Sequence, residues 1–191
     1  MKNVLICGAG EKSFRNYDSI KHGKKFTYLD KHKFKSVNVI HNLEVTPLPF
    51  DNDVFDEIFC SHVIEHISNL IGLMKEFHRI IKSDGVITII VPYWLNLQNQ
   101  QDPTHVRNMN YYALDFLTKD RKFSEGNYLM NNISFKIYDI KYTFNKWLRL
   151  VEKFANRYPF IYEASIIKFI FPAGSITFKL IKNDSKKQIT S

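Results

Sequence analysis

The stretch His62-Val63-Ile64-Glu65-His66 combines residue types that can bind a metal ion and activate water. It fits the pattern H-x-x-E-H, in which two histidines one helical turn apart hold zinc and the glutamate acts on a water molecule. Such a short match arises easily by chance. The elements around it must therefore decide between a zinc peptidase and another function.

A second candidate site follows the apolar run VLIC, which is typical of a buried strand. The loop Gly8-Ala9-Gly10 allows the backbone to approach a ligand closely. Asp30 ends a second β-rich run, where a carboxylate can accept both hydrogen bonds of a ribose diol. Ser13 replaces the third glycine of the dinucleotide pattern, so the sequence predicts a nucleoside cofactor without specifying NAD.

Strands and helices alternate along the first half of the chain. VLIC, KFTYLD and SVNVIHNL predict three strands, and VFDEIFCSHV predicts a fourth. Apolar residues from Leu70 to Ile81 recur at helical spacing, and we expect the turn Asp84-Gly85 to end that helix. VITIIV, which is apolar on both faces, predicts a central strand. This alternation indicates an α/β fold with a doubly wound, mostly parallel sheet.

The second half of the chain has less regular patterning. FKIYDIKYTF and SITFKLIK predict strands, whereas NKWLRLVEKFANRY and YEASIIKFIF predict amphipathic helices. With 191 residues, 45% of them hydrophobic, we expect one domain over residues 1–183 and a flexible tail over 184–191. Cys7 and Cys60 lie in apolar runs and are predicted to be buried and reduced. The sequence lacks an apolar run typical of a signal peptide or a membrane span, so a cytoplasmic location is expected.

Four quoted segments together carry a family resemblance. VLICGAG, YLD, PLPFDNDVFDEIFCSHVIEHI and MKEFHRIIKSDGVITIIVPY resemble the successive motifs of the class I S-adenosylmethionine-dependent methyltransferases, closest to the methyltransferase type 11 group. The resemblance covers roughly residues 3 to 93, and it extends more loosely through QDPTHVRNMN and FPAGSITFKLIK, which are similar to sugar- and glycan-related members. It implies a Rossmann-like, seven-stranded sheet with its last strand antiparallel, and S-adenosyl-L-methionine as cofactor.

The resemblance also implies which residues contact the cofactor. The glycine loop would meet its methionine part, Asp30 its ribose, the end of the third strand its adenine, and the end of the fourth strand its other side. The implied residues are Gly8, Ala9, Gly10, Asp30, Asn42, Leu43, Ser61 and His62. This chain departs from the family at Lys12, which stands where the third glycine of G-x-G-x-G is usual. In this interpretation His62 ends a strand and His66 starts the next helix, so no metal is expected at the H-x-x-E-H stretch.

The segment after the fifth strand is predicted to contact the methyl acceptor, because loops at the carboxyl ends of strands build the site in open sheets. We predict His105 as the general base, with Asp102 as its orienting partner and Tyr93 lining the cleft. An alternative interpretation is that Asp102-Pro103 forms a plain turn that His105 closes by a hydrogen bond.

Three functions remain open from the sequence. A small-molecule, sugar or glycan O-methyltransferase follows from the resemblance. A nucleic-acid methyltransferase would use the net charge of +8, although the fourth strand ends in CSHV and lacks the Asn/Asp-Pro-Pro-aromatic signature of base methylation. A binding module that has lost the cofactor would follow from Lys12. The sequence does not predict an oligomeric state.

The segment from Phe144 to Phe171 bears on possible partners. Its apolar residues, among them Trp147 and Leu150, alternate with basic residues such as Lys146 and Arg149. Such a helix is typical of peripheral membrane association, which would suit a lipid-linked glycan acceptor. Packing of the apolar face against the core is the alternative.

Overall fold

The computed structural model describes residues 1–11, 23–130 and 134–183. Lys12, Ser13 and the expected tail over 184–191 lie outside the described residues. The strands are β1 (Lys2–Cys7), β2 (Lys24–Asp30), β3 (Val39–Ile40), β4 (Phe55–Ser61), β5 (Ile81–Pro92), β6 (Phe135–Thr143) and β7 (Ser175–Lys182). The described helices are α1 (Leu70–Ile80), α2 (Leu97–Gln101), α3 (Arg149–Arg157), α4 (Pro159–Ala164) and α5 (Ile167–Ile170).

The strands form one seven-stranded sheet in the order β3-β2-β1-β4-β5-β7-β6. Strands β1 to β5 pair in parallel, whereas β7 pairs antiparallel with both β5 and β6. The predicted α/β sheet with its last strand antiparallel is therefore confirmed. β5 has a neighbour on each side, as expected for a strand that is apolar on both faces.

The register of the first strands positions the site. Cys7, the last residue of β1, pairs with Leu29 of β2 on one side and Cys60 of β4 on the other. The loops that leave these three strands therefore begin next to one another at the same edge of the sheet. Gly8, Asp30 and His62 stand at this edge, although they are far apart in sequence.

Residues of β1 alternate between the two faces of the sheet, as strand geometry requires. Leu5 and Cys7 join the large hydrophobic core, whereas Val4 and Ile6 pack with Ala9 and Phe59 in a smaller cluster. Cys7 and Cys60 are both buried and free, which confirms their prediction as buried thiols. Burial raises the pKa of the Cys60 thiol.

Helix α1 buries one face of five apolar residues, which are Leu70, Leu73, Met74, Phe77 and Ile80. The side chain of Asn69 caps its start by accepting a hydrogen bond from the Gly72 amide at 3.1 Å. The predicted end at Asp84-Gly85 was wrong, because the helix stops at Ile80 and β5 begins at Ile81. Gly85 instead makes room for packing, since a Cβ there would lie 2.6 Å from Cγ1 of Ile81.

The second half of the chain adds β6, β7 and three short helices. The two strands lie where the sequence predicts them. The predicted helix over NKWLRLVEKFANRY is a 3-10 turn, Lys146–Leu148, followed by α3. The next predicted helix is divided at Ser165 into α4 and α5. Among the described residues, no helix is both long and apolar enough to cross a membrane.

Candidate active site

A cleft of about 330 Å³ lies at the edge of the sheet where β1, β2 and β4 end. Its walls come from the loops that follow these strands and from the segment after β3. Among the residues predicted to bind the cofactor, Gly8, Asp30, Asn42, Leu43 and His62 line this cleft. His66, which was not predicted to contact the cofactor, also lines it.

The glycine loop turns sharply at the mouth of this cleft. Gly8 has φ +66°, and a Cβ added to it would lie only 2.3 Å from Cγ2 of Val63. Gly10 also adopts a left-handed conformation, with φ 53°. Ala9 between them is buried in the smaller hydrophobic cluster, so its side chain points away from the cleft. Glycine is therefore required at position 8 both by backbone conformation and by space.

The Asp30 carboxylate is held in place by backbone amides. Oδ2 accepts a hydrogen bond from the Gly10 amide at 2.9 Å, and Oδ1 accepts one from the His32 amide at 2.8 Å. Only 9% of the residue is exposed, and it lines the cleft. Each carboxylate oxygen can accept a further hydrogen bond, so Asp30 can bind a pair of hydroxyl groups.

The wall after β3 combines a polar and an apolar residue. Asn42 accepts a hydrogen bond from the Glu44 amide through Oδ1 at 3.1 Å, and Leu43 is 6% exposed. On the other side, His62 has φ 55° and donates its amide to the Ile90 carbonyl at 2.9 Å. Its side chain is half-exposed. Ser61 is the last residue of β4 and precedes this strained position.

The predicted acceptor residues lie beside His66. Thr104 donates its hydroxyl to Asp102 Oδ1 at 2.6 Å, and the same hydroxyl oxygen lies 2.8 Å from Nδ1 of His66. Hydrogen bonds from Thr104 hold the pKa of Asp102 below its usual range. The rings of His66 and His105 meet edge to face, with centroids 4.6 Å apart.

The contacts of His105 bear on both of its predicted roles, as the residue that closes the turn and as the partner of Asp102. Its amide donates to the Asp102 carbonyl at 3.3 Å, which closes the turn after Asp102. Its Nδ1 lies 3.1 Å from the Asn99 carbonyl, and its Nε2 lies 3.7 Å from Asp102 Oδ2. The structure therefore contains the turn and also brings His105 next to Asp102. The role of His105 as a general base stays a prediction.

Known proteins resemble the part of the chain that builds this cleft. The family model described as "Methyltransferase domain" matches residues 7–89. Residues 7–89 are therefore similar to a methyltransferase domain. A protein of Methanocaldococcus jannaschii is 30% identical over 92 residues, a match that spans 46% of this chain and 40% of that relative.

Solved structures extend the likeness of this chain to its whole fold. A SAM-dependent methyltransferase from Archaeoglobus fulgidus superimposes with a TM-score of 0.62 at 18% identity, over 95% of this chain and 86% of that one. The YcgJ protein of Bacillus subtilis superimposes with a TM-score of 0.60, also at 18% identity, over 96% and 92%. The chain therefore has the class I methyltransferase fold, and the Archaeoglobus fulgidus protein of this fold is SAM-dependent.

Tyr93 lies in a different place from the one predicted. It is fully buried and does not line the cleft. Its hydroxyl donates to Glu163 at 3.1 Å, and its ring packs among Tyr142, Tyr162 and Trp94. Burial raises the pKa of the Tyr93 hydroxyl. Tyr93 directly follows the apolar run of β5, and its side chain is buried in the core as the side chains at the end of that strand are.

Glu65 is a candidate functional residue that the sequence did not indicate outside the peptidase pattern. Its side chain is fully buried, and among the described residues neither carboxylate oxygen has a hydrogen-bond partner. His62 Nδ1 lies 3.6 Å from Oε1, beyond hydrogen-bond distance. The pair Glu65-His66 was the available signal, but the neighbouring His105 lies forty positions further along the chain.

Proposed function

We propose that this protein is an S-adenosylmethionine-dependent methyltransferase that methylates a hydroxyl oxygen of a small molecule, a sugar or a glycan precursor. The observation that carries the proposal is the pairing of Gly8 and Asp30 across one cleft. The glycine loop leaves space that a Cβ would fill, which suits the aminoacyl part of this cofactor. The carboxylate can bind a diol, which suits its ribose.

The proposed pose places the cofactor along the edge of the sheet. Its methionine part lies against the loop of Gly8, Ala9 and Gly10, where backbone groups make the contacts because Ala9 points away. Its ribose binds Asp30. Its adenine lies against Asn42 and Leu43, which offer an amide and an apolar surface. Ser61 and His62, where β4 ends, close the other side.

Methyl transfer needs alignment more than it needs a protein nucleophile. The acceptor oxygen attacks the methyl carbon in line with the sulfur, the carbon–sulfur bond breaks, and S-adenosylhomocysteine leaves as the acceptor proton is lost. Orientation of the two reactants contributes up to about 7–11 kcal/mol. A general base contributes roughly 10²–10⁴-fold when the acceptor is a hydroxyl.

We assign the acceptor side to the cluster of His66, His105 and Asp102. His66 lines the cofactor cleft, and His105 touches it edge to face. A hydroxyl bound here would lie next to the cofactor and next to imidazole nitrogens. In this assignment His105, oriented by Asp102, is the group that removes the acceptor proton.

Calorimetric titration with S-adenosylmethionine and with S-adenosylhomocysteine, in the presence of a chelator, tests the cofactor site. We expect both ligands to bind, and we expect Asp30→Ala to abolish binding because the ribose loses both acceptor oxygens. Asp139→Ala is the matched control, since Asp139 lies on β6 and pairs with Lys141 and Lys179.

The outcome separates the enzyme from its rivals. If wild-type protein binds neither ligand, the fold serves as a binding module without cofactor, and the proposal is wrong. If Asp30→Ala binds as tightly as wild type while its thermal unfolding is unchanged, Asp30 does not hold the ribose.

We also propose that the segment from Lys146 to Phe171, which contains α3 to α5, binds an anionic membrane surface. Apolar side chains of this segment are exposed in unusual number, led by Trp147 at 91% and Leu150 at 81%. Six further apolar residues are at least 39% exposed, which are Phe160, Ile161, Ile166, Phe169, Ile170 and Phe171. Lys146, Arg149, Lys153 and Arg157 are exposed within the same segment. Exposed apolar side chains among basic ones suit the interface of a bilayer with anionic headgroups.

Flotation with liposomes tests this surface. Wild-type protein should float with vesicles of phosphatidylserine and phosphatidylcholine, and binding should weaken as salt screens the basic residues. Replacing Trp147 and Leu150 by serine should abolish flotation, whereas Tyr138→Ser, which changes a half-exposed residue of β6, should not. Equal flotation of both variants, or no flotation of the wild type, would remove the proposal.

A further inference from the structure

Glu65 is a buried carboxylate that lacks the partners such a group requires. It is fully buried, and among the described residues no donor reaches either oxygen. Burial of an unpaired carboxylate is costly, and proteins normally offset it with hydrogen bonds, a cation or a metal ion. Nδ1 of the His62 imidazole lies 3.6 Å from Oε1 of Glu65, which is too far for a hydrogen bond.

Two histidines stand beside this carboxylate. Glu65, His66 and His105 each offer a ligand atom, and these atoms lie within 4.8 Å of one another. The 3-10 turn Ile64–His66 provides the first two, and the loop after α2 provides the third. The Val106 amide donates to the Glu65 carbonyl at 3.0 Å, which fixes that loop against the turn.

Hydrogen bonding defines which ring nitrogen of each histidine is free to bind a cation. Nδ1 of His105 lies 3.1 Å from the Asn99 carbonyl, and Nδ1 of His66 lies 3.3 Å from the Thr104 carbonyl. Carbonyl oxygens only accept, so both Nδ1 atoms carry the hydrogen. In the neutral rings Nε2 then has the lone pair, as a metal ligand requires.

We propose that Glu65, His66 and His105 bind a divalent transition-metal ion of the zinc or manganese type. Two imidazoles and one carboxylate form a donor set that such ions favour, and three protein ligands leave positions open for water or substrate. Ligand distances of about 2.0–2.2 Å require the three atoms to move slightly closer when the ion binds. The hydroxyl of Thr104 lies next to Nδ1 of His66 and donates to Asp102. This hydrogen-bonded pair would orient His66, since the second ring nitrogen of a metal-bound histidine usually has such a neighbour.

This site differs from the one that the H-x-x-E-H pattern describes. In that pattern His62 and His66 hold the ion and Glu65 acts on water. Here Glu65 is itself a ligand, and His105 takes the place of His62. Of the three ligands, His66 lines the cleft, so the ion would lie beside the cleft.

The ion has a direct use if the proposed methyl transfer is correct, and this step rests on that proposed function. His66 lines the cofactor cleft, so an acceptor oxygen bound to the ion would lie close to the methyl donor. The ion would lower the pKa of the bound hydroxyl, whose proton passes to water. The oxygen then attacks the methyl carbon, the carbon–sulfur bond breaks, and S-adenosylhomocysteine leaves. His105 acts as a ligand in this form and no longer as the base. An acceptor with two neighbouring oxygens, such as a vicinal diol or a hydroxy acid, fits the open positions.

Titration of the metal-free protein with Co²⁺, followed by its visible absorption, and with Zn²⁺ by calorimetry tests the site. We expect one ion per chain, and at least a tenfold loss of affinity in Glu65→Gln and in His105→Gln. Glu57→Gln is the matched control, because Glu57 is on β4 and pairs with Lys2 and Lys24. Glu65→Gln keeps the shape of the side chain and removes the buried charge. In chelator, the thermal unfolding temperature of this variant should therefore equal or exceed that of the wild type.

Two results would overturn the inference. One is a wild-type protein that binds neither ion; the other is equal binding by wild type, Glu65→Gln and Glu57→Gln. The measurement uses no cofactor, whereas cofactor binding is measured with a chelator present, so each proposal can fail without the other. Activity that survives in chelator, together with one bound Co²⁺, would retain the metal site and remove its role in methyl transfer.

Discussion

Gly8 is required by the backbone conformation at its position, and the proposed cofactor contact depends on the same turn. Its left-handed φ of +66° and its approach to Val63 leave no room for a side chain. The same turn directs the Gly10 amide toward Asp30, which keeps the carboxylate in the cleft. A change at Gly8 is therefore expected to affect stability and cofactor binding together.

Gly8→Ala should destabilise the protein by about 2–5 kcal/mol, because a left-handed residue with a Cβ costs about 1–2 kcal/mol and overpacking adds about 1–3 kcal/mol. Chemical denaturation measures the loss, and calorimetry should show weaker binding of S-adenosylhomocysteine. Gly23→Ala is the control, since Gly23 has φ +80° but a Cβ there would meet nothing within 4 Å. If both variants lose the same stability, contact with Val63 is unimportant.

At the scale of elements, side chains from one helix or strand hold the loops of another. Arg79 of α1 donates to the carbonyls of Leu48 and Phe50 at 3.1 and 2.8 Å, which fastens the loop before β4 to the helix. Its guanidinium also donates to Glu76 at 2.7 Å. The loop that leads into the central strands is thus fixed by one arginine of the neighbouring helix.

In the second half of the fold, the carboxylate of Glu163 likewise holds separate elements together by hydrogen bonds. It accepts hydrogen bonds from the Tyr93 hydroxyl at 3.1 Å, the Tyr142 hydroxyl at 2.8 Å and the Tyr111 amide at 3.2 Å. It thereby joins α4 to the residue that follows β5, to β6 and to the segment between these strands. Tyr93 is held in this core arrangement, which explains why it is unavailable to the cleft.

The helices of the second half divide their apolar residues between core and solvent. Leu148, Val151 and Phe154 pack against the core, whereas Trp147 and Leu150 of the same apolar stripe stay exposed. Both interpretations of this stripe, core packing and an exposed interface, therefore describe a part of it. Only the exposed part is available to the proposed membrane surface.

For the whole molecule, carboxylates that are paired in the folded state set the response to acid. The hydrogen bond from Arg79 lowers the pKa of Glu76 below its ordinary value of 4.5, and the one from Lys82 lowers the pKa of Asp56 below 3.8. A lowered pKa in the folded state stabilises it above the unfolded value. That stabilisation is lost as pH falls through the folded value.

The free energy of unfolding should therefore be constant with respect to these two groups above about pH 5.5, and it should fall as the pH drops below the ordinary values of 4.5 and 3.8. Glu76→Gln should cost about 1–3 kcal/mol at pH 7, as expected for a charge-assisted hydrogen bond, and less at pH 3. Denaturation at a series of pH values measures both effects. An equal cost at pH 7 and pH 3 would contradict this account.

Much of the fold was decided locally and could be predicted from the sequence. The spacing of apolar residues identified β1, β4, β7 and the face of α1, because periodicity records which side of an element is buried. The glycine loop and Asp30 could be placed at one edge, since parallel strands end together. The resemblance to known motifs added the strand count and the cofactor, which patterning alone did not provide.

Other features depend on contacts between distant segments, which no local pattern records. The end of α1, the burial of Tyr93 and the direction of Ala9 were each decided by what packs against them. The cluster of Glu65, His66 and His105 exists only because the loop after α2 folds back onto the turn after β4. Sequence by itself determined the scaffold and its proposed cofactor, whereas tertiary structure decided which side chains meet, because burial and hydrogen-bond partners are properties of the packed chain.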